Sequence, residues 1–378
     1  MSFAGLIPDY HCVTDGFNGS DFTGNNSNIN VCYVNGTACS SFAFIGPRHT
    51  VISEWDLVCD RKWAKQIIIS VQMGGVLIGC MLIGQMSDTF GRRKSLYFIN
   101  MYHIVVNVVT AFSTSWIMFA VLRFFVGIGI GGIFVVAFTY PMEFLPVKWR
   151  ILMASLPFWP SGVSLFALGA SIMEDWVHLH FACAILCVPS MFGVFFVPES
   201  IRWLTLQGRL DEAEKVFTRI ATMNGTEVPP DVMKVLENVR DTEIQSQDKP
   251  QSYTYLDLFK SWKMAKNTLV AFVWWLNVSM MYYGISFGVS SLSGNVYLNI
   301  FLMALIEFPF RASTAFFCNT FGRRPTARFF FAMATLLSLC LLLTQILLPE
   351  VHRGSYISWF SLFALAMTGA SWASIQVR

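Results

Sequence analysis

Charge is what this 378-residue chain has least of: Asp, Glu, Lys and Arg make up only 13% of it, against roughly 25% in soluble domains. A chain with so little polar surface and 54% apolar residues is expected to have lipid as its solvent. The first 64 residues lack a basic start followed by an apolar core, so neither a signal peptide nor a spanning helix is expected within them. A Gly-x-Ser-x-Gly elbow, a phosphate-cradling loop and a His/Cys set at zinc spacing are all missing, so no enzyme, ATPase module, metal site or cofactor is expected. The net charge of +3 is too small to imply a nucleic-acid partner. It fits basic residues gathered in cytoplasmic loops.

What the chain does have is a series of long apolar runs. At about 20 residues per span, nine transmembrane helices are predicted, near 65–87, 95–113, 116–139, 150–173, 178–197, 267–288, 296–316, 327–348 and 356–376. One long polar stretch, between Arg202 and Lys266, interrupts them. Leu210, Ala213, Val216, Phe217 and Ile220 follow helical spacing there, as do Val232, Val235, Leu236 and Val239, whereas Glu243 to Gln251 reads as a loop. The expected organisation is an extracellular segment 1–64, a five-span half 65–200, a cytoplasmic helical insert 201–266 and a four-span half 267–378.

Basic turns at Arg92, Arg93 and Lys94, at Lys148 and Arg150, and at Arg323, Arg324 and Arg328 alternate with the acidic turn Glu174–Asp175. Basic turns mark the cytoplasm, which puts the N-terminal segment outside. Cys12, Cys32, Cys39 and Cys59 lie in that segment together with sequons at Asn18, Asn25 and Asn35. An oxidising, glycosylating compartment is expected, with plasma membrane as the address. Four cysteines allow three disulfide connectivities, and spacing does not choose among them.

The turn at Gly84–Ser95 reads G-Q-M-S-D-T-F-G-R-R-K-S, and F-G-R-R-P-T at Phe321–Thr326 echoes its second part. Aligning Gly322 on Gly91 sets Asn319 where the first copy has Asp88, so two related halves are visible in the sequence. Gly84 would let a neighbouring helix come close, and Asp88 would pair with an arginine or cap a helix. In the run Arg123–Gly132, Gly127 and Gly131 share one helix face and permit a close crossing. Arg123 itself is an intramembrane charge with two readings: it bonds backbone carbonyls to fix packing, or it takes part in coupling.

The spacing G-x-x-x-D-x-x-G-R-R-K from Gly84 to Lys94 resembles the signature of major facilitator superfamily transporters. The opening G-L-I-P-D-Y-H-C at Gly5–Cys12, P-E-S-I-R-W-L at Pro198–Leu204 and N-V-Y-L-N-I-F-L-M-A-L-I-E-F-P at Asn295–Pro309 narrow that resemblance to the organic cation, carnitine and organic anion transporter family. The resemblance implies an all-α membrane protein, a helix bundle of two pseudo-repeated halves with about nine of the family's twelve spans. The first and the last two spans are expected to be absent.

Glu307 lies inside the apolar run Val296–Phe316, where an ionised carboxylate costs about 2.5–3.5 kcal/mol. Either it faces a hydrated path and meets a cation or a proton, or it pairs with Arg311 one turn on. The resemblance favours the first, because the position matches an acidic residue lining the substrate path in cation-transporting members. Trp275 and Tyr282 share a face of the run 267–288, with Trp274 and Tyr283 beside them; aromatic faces attract organic cations. Their pattern W-x6-Y-x-G, closing on Gly284, resembles the family's substrate-facing helix. Phe134 and Trp159 carry over the same way, and Trp159 sits between Pro157 and Pro160, where a broken helix could open onto a cavity. Glu143, Glu199, Arg92, Arg93, Arg202, Arg323 and Arg324 form an expected charged layer gating the cytoplasmic side, with Gly84, Asp88 and Gly91 in its motif.

The reading is therefore a secondary transporter or facilitator of small organic ions working by alternating access, cations or carnitine-like zwitterions first. An organic anion carrier is one alternative, and a shortened, non-transporting isoform that associates with a full-length relative is another. The expected partners are the organic ion, membrane lipid and a coupling ion, H+ or Na+.

Overall fold

In the computed structural model the described residues are 5–13, 30–34, 37–39, 41–245, 258–288, 295–347, 361, 363–365 and 367–368. They group into two compact units. The first holds residues 1–141 and 172–204, the second 142–171 and 205–378. The span 142–171 thus groups with the second unit, although its sequence neighbours on both sides belong to the first.

The first unit begins with a small disulfide-bonded module. Strands β1 (Tyr10–Val13) and β4 (Ser41–Phe44) pair antiparallel, Cys12 facing Phe42, and β2 (Tyr33–Val34) pairs with β3 (Thr37–Ala38). The bridges are Cys12–Cys39 and Cys32–Cys59, an interlaced connectivity. The sequons at Asn18, Asn25 and Asn35 lie outside the described residues. Helix α1 (Val51–Glu54) starts with a capping box in which Thr50 and Ser53 satisfy each other's backbone N–H groups. Its Val51 and Ile52, with Tyr10, Leu57 and Val58, form one core with Ile68, Phe119 and Trp176 from the long helices. The module is therefore packed onto the helix ends and does not hang from them.

Four long helices complete this unit: α2 (Trp63–Phe90), α3 (Arg92–Ala111), α4 (Trp116–Met142) and α7 (Trp176–Met191). Glycines set the crossing of α2 and α4. A Cβ on Gly127 would lie 2.2 Å from the Gln72 carbonyl oxygen, and one on Gly131 2.2 Å from that of Val76. Reciprocally, Gly75 and Gly79 of α2 would press to 2.1 and 2.3 Å on the carbonyl oxygens of Phe124 and Ile128. Gly127 and Gly131 thus act as the sequence predicts, and their partner pair was not foreseen.

In the second unit the predicted span 150–173 is two helices, α5 (Val147–Ser155) and α6 (Phe158–Ile172). Leu156 is extended and Pro157 has no N–H to donate, so the ladder stops there, as the two prolines foretold. The polar insert supplies α8 (Ile201–Leu206, whose first four residues belong to the first unit), α9 (Leu210–Met223) and α10 (Val232–Gln245). Helix α10 runs three residues into the stretch read as a loop, and residues 246–257 lie outside the described ones. Then come α11 (Trp262–Gly288), α12 (Val296–Thr320) and α13 (Arg323–Leu347). Ile151 and Ala154 of α5 pack on Ala315 and Cys318 of α12, and Phe317 of α12 meets Phe330 of α13 edge-on.

Among the described residues seven helices are long and apolar enough to cross a membrane. The predicted span 95–113 is present as α3 but falls short of that apolar standard, because Asn100 and Asn107 lower its hydropathy. Both are buried: Asn100 donates to Ser190 of α7, and Asn107 meets His180 of α7. A helix that carries polar groups inward is satisfied by its neighbour and need not be uniformly apolar. Most of the predicted ninth span, 356–376, lies outside the described residues.

Candidate functional site

Helix α12 places Glu307 and Arg311 one turn apart on its buried face, 1% and 5% exposed. Arg311 Nη2 lies 3.1 Å from Glu307 Oε1, so the pairing left open by the sequence is made. The other carboxylate oxygen faces α11: the Tyr282 hydroxyl donates to Oε2 at 3.4 Å, a long bond. Trp159 Nε1 of α6 in turn donates to the Tyr282 hydroxyl at 2.7 Å. Three helices of the second unit thus converge in a chain from Trp159 through Tyr282 and Glu307 to Arg311. The broken span lets Trp159 take part, since its indole begins α6 just after the interruption at Pro157.

Tyr282 is buried, and Tyr283 stands against it edge-on with ring centroids 5.6 Å apart. Trp275 is half-buried two turns earlier on the same helix. Phe134 belongs to the first unit, where it stacks against Phe138 at 4.8 Å. Five of the six expected substrate residues therefore share the second unit, and three of them, Tyr282, Trp159 and Tyr283, gather beside the carboxylate of a fourth, Glu307. A buried ion pair is weak as a stabiliser, because desolvation of two charges offsets much of their attraction. What the arrangement can do chemically is hold one negative and one positive group in apolar surroundings beside aromatic faces, where either is strengthened towards a ligand charge.

The motif layer is built mainly in the first unit. Asp88 pairs with Arg92 at 2.5 Å, and Gly91 joins α2 to α3 at φ +105°. That conformation requires glycine, and a Cβ there would also meet Glu199 Oε2 at 2.6 Å. Glu199 Oε1 accepts from the backbone N–H groups of Arg92 at 2.9 Å, Arg93 at 3.0 Å and Ser200 at 3.0 Å. The carboxylate therefore caps α3 from 107 residues away in sequence, where the helix dipole favours negative charge. Trp203 Nε1 donates to the Asp88 carbonyl and Arg93 to that of Val194. Gly84 is half-buried, its carbonyl accepting from Ser87. Arg202 is exposed, near the start of α8. In the second unit Gly322 repeats the positive φ of Gly91, at +86°, and Arg323 and Arg324 open α13 as Arg92 and Arg93 open α3. Glu143 follows the end of α4, half-buried. Glu199→Ala is expected to lower stability by about 1–2 kcal/mol, read as a lower unfolding temperature in detergent, with Glu199→Gln losing less.

Long apolar helices, a polar seam inside one unit and a positive-φ glycine turn repeated in the other define an integral multi-pass membrane protein of the major facilitator fold. The profile of the sugar (and other) transporter family matches residues 32–377, and the chain belongs to that family. Its relatives are of solute carrier 22 type. Solute carrier family 22 member 7 of Bos taurus is 34% identical over 73% of this chain and 51% of its own length. Member 4 of Mus musculus is 37% identical over 73% and 50%, and the Homo sapiens organic cation/carnitine transporter 2 is 33% identical over 80% and 54%. The chain spans about half the length of the curated relatives it matches. Among solved structures, the proton:xylose symporter XylE bound to 6-bromo-6-deoxy-D-glucose gives a TM-score of 0.64 at 18% identity, covering 84% of this chain and 73% of that one. At that identity the likeness is one of fold.

Proposed function

We propose that the protein is a secondary transporter of small organic ions that binds the charged part of its substrate at Glu307, with zwitterions carrying a quaternary or tertiary amine favoured. The observation that carries this reading is the Glu307–Arg311 pair set beneath Tyr282 and Trp159. A simple cation competing for Glu307 would leave Arg311 unpaired in an apolar site, at a cost of several kcal/mol. A zwitterion meets both charges at once, its ammonium against the carboxylate and the aromatic rings, its carboxylate against the guanidinium fork. The relatives include a protein named as an organic cation/carnitine transporter, which agrees with this class. Arg311 gives specific support to the second reading, an organic anion carrier.

Substrate would enter and leave by alternating access, driven by solute gradients or membrane potential. The charged groups on the cytoplasmic side of each unit, Asp88, Arg92, Arg93, Glu199 and Arg202 in the first and Glu143, Arg323 and Arg324 in the second, would rearrange with the inward-facing state. Residues 1–64 would face outward, the insert 201–266 the cytoplasm, and the plasma membrane would be the address; the disulfides and the basic turns support that orientation. The test is uptake by cells making the protein of three labelled probes: a quaternary ammonium cation, a betaine-type zwitterion and a monovalent organic anion. Saturable uptake of the zwitterion above the other two is expected. Uptake of the anion alone would replace this reading with the second.

A further inference from the structure

Arg123 of α4 is 6% exposed, and none of the described residues supplies it with a hydrogen-bond acceptor or a carboxylate. Its one described contact is the face of Phe119, 5.6 Å from the ring centroid. Of the two readings open from the sequence, bonding to backbone carbonyls is not made among the described residues. Among the described residues, the titratable groups within electrostatic reach of it are His103 of α3 and His180 and Cys183 of α7, none of them a carboxylate, and Asn107 of α3 lies between the two histidines. The hydrogen bonds among them run in one direction. Asn107 Nδ2 donates to the His103 carbonyl at 2.8 Å and meets His103 Nε2 at 3.0 Å, while Asn107 Oδ1 meets His180 Nδ1 at 3.2 Å.

With Nε2 of His103 accepting, the proton of that ring sits on Nδ1, which is buried without a partner, as is Arg123 Nε. The seam thus holds two orphaned donors and an uncompensated positive charge. Leaving a charge buried and unpaired is costly, and a ligand that supplies the missing acceptors recovers that cost. We propose that Arg123, with His103 beside it, is a binding site for a small monovalent anion, either a carboxylate or a halide. A carboxylate matches the guanidinium fork with two parallel bonds; a halide would fill the same place as a point charge. The site lies wholly in the first unit and its test reads binding, so it stands or falls apart from the transport reading at Glu307.

The experiment is thermal unfolding of the purified full chain in detergent, followed by tryptophan fluorescence. Sodium acetate or sodium chloride is titrated at constant ionic strength into a buffer whose only other anion is HEPES. The wild-type protein is expected to show a saturable rise in unfolding temperature with at least one of the two anions, and the anion that saturates names the source. Arg123→Met is expected to unfold above the wild type before any anion is added, because an unpaired buried charge is gone, and to show no rise on titration. Arg123→Lys keeps the charge without the fork and is expected to weaken the apparent affinity for acetate at least tenfold. It also carries the test should Arg123→Met fail to fold. A wild type indifferent to both anions, or an anion response retained in Arg123→Met, would overturn the site.

Discussion

Gly131→Leu is expected to leave almost no folded protein. A Cβ at this position would lie 2.2 Å from the Val76 carbonyl oxygen and 3.0 Å from the Cys80 amide nitrogen, so the obstacle is backbone on the facing helix. Overpacking usually costs about 1–3 kcal/mol, because side chains shift to make room. Here α2 and α4 must separate along their crossing, and the contacts around Gly75, Gly79 and Gly127 go with it. In a membrane, close approach supplies the dispersion energy that holds helices together, since lipid gives no hydrophobic drive. The recovery of monodisperse protein on size exclusion should fall at least tenfold. Gly169→Leu on α6, where nothing lies within 4 Å of the added Cβ, is the control and should behave as wild type. A Gly131→Leu protein eluting like the wild type would show that the helices do not cross here.

The second large effect concerns the buried pair. Arg311→Met removes the cation and leaves the Glu307 carboxylate, 1% exposed, with the long Tyr282 bond at 3.4 Å as its one remaining partner among the described residues. Breaking one side of a buried pair costs about 3–5 kcal/mol, whereas replacing both sides with neutral groups is often close to neutral. Arg311→Met should therefore unfold well below the wild type, and adding Glu307→Gln should restore most of the loss. Glu307 and Arg311 are in contact, so the two effects are not expected to add. Unfolding temperatures of the four proteins in detergent give the cycle, and additive losses would contradict a direct pair.

The spans were legible because apolar runs of the right length have few other uses, and the Glu307–Arg311 pair because a spacing of four puts two side chains on one helix face. What was not legible depends on a second element arriving in space. Nothing in the spacing of Cys12, Cys32, Cys39 and Cys59 selects the interlaced pairing; β1 against β4 and the helix end at Cys59 do. Glu199 reads from the sequence as a gate charge, and its capping of α3 is set by a chain return of 107 residues. Trp159 and Tyr282 each read from the sequence as aromatic faces, but their polar atoms, bonded at 2.7 Å, connect them to the carboxylate. The seam at Asn100, His103 and Asn107 carries a signal in the sequence, polar residues three and four apart on an apolar helix. Most of the ninth span, the asparagines of the three sequons and residues 246–257 lie outside the described residues.

The central claim is that Glu307 holds the positive charge of the substrate although Arg311 and Tyr282 already engage it. Direct binding tests this without requiring transport: quenching of tryptophan fluorescence by a betaine-type zwitterion, with the purified wild type compared with Glu307→Gln. Trp159 and Trp275 should report in the wild type, with saturable quenching whose midpoint rises at least tenfold in Glu307→Gln, both proteins being measured below the unfolding temperature of the variant, which loss of the pair lowers. Equal midpoints in two well-folded proteins would mean that the carboxylate serves packing alone.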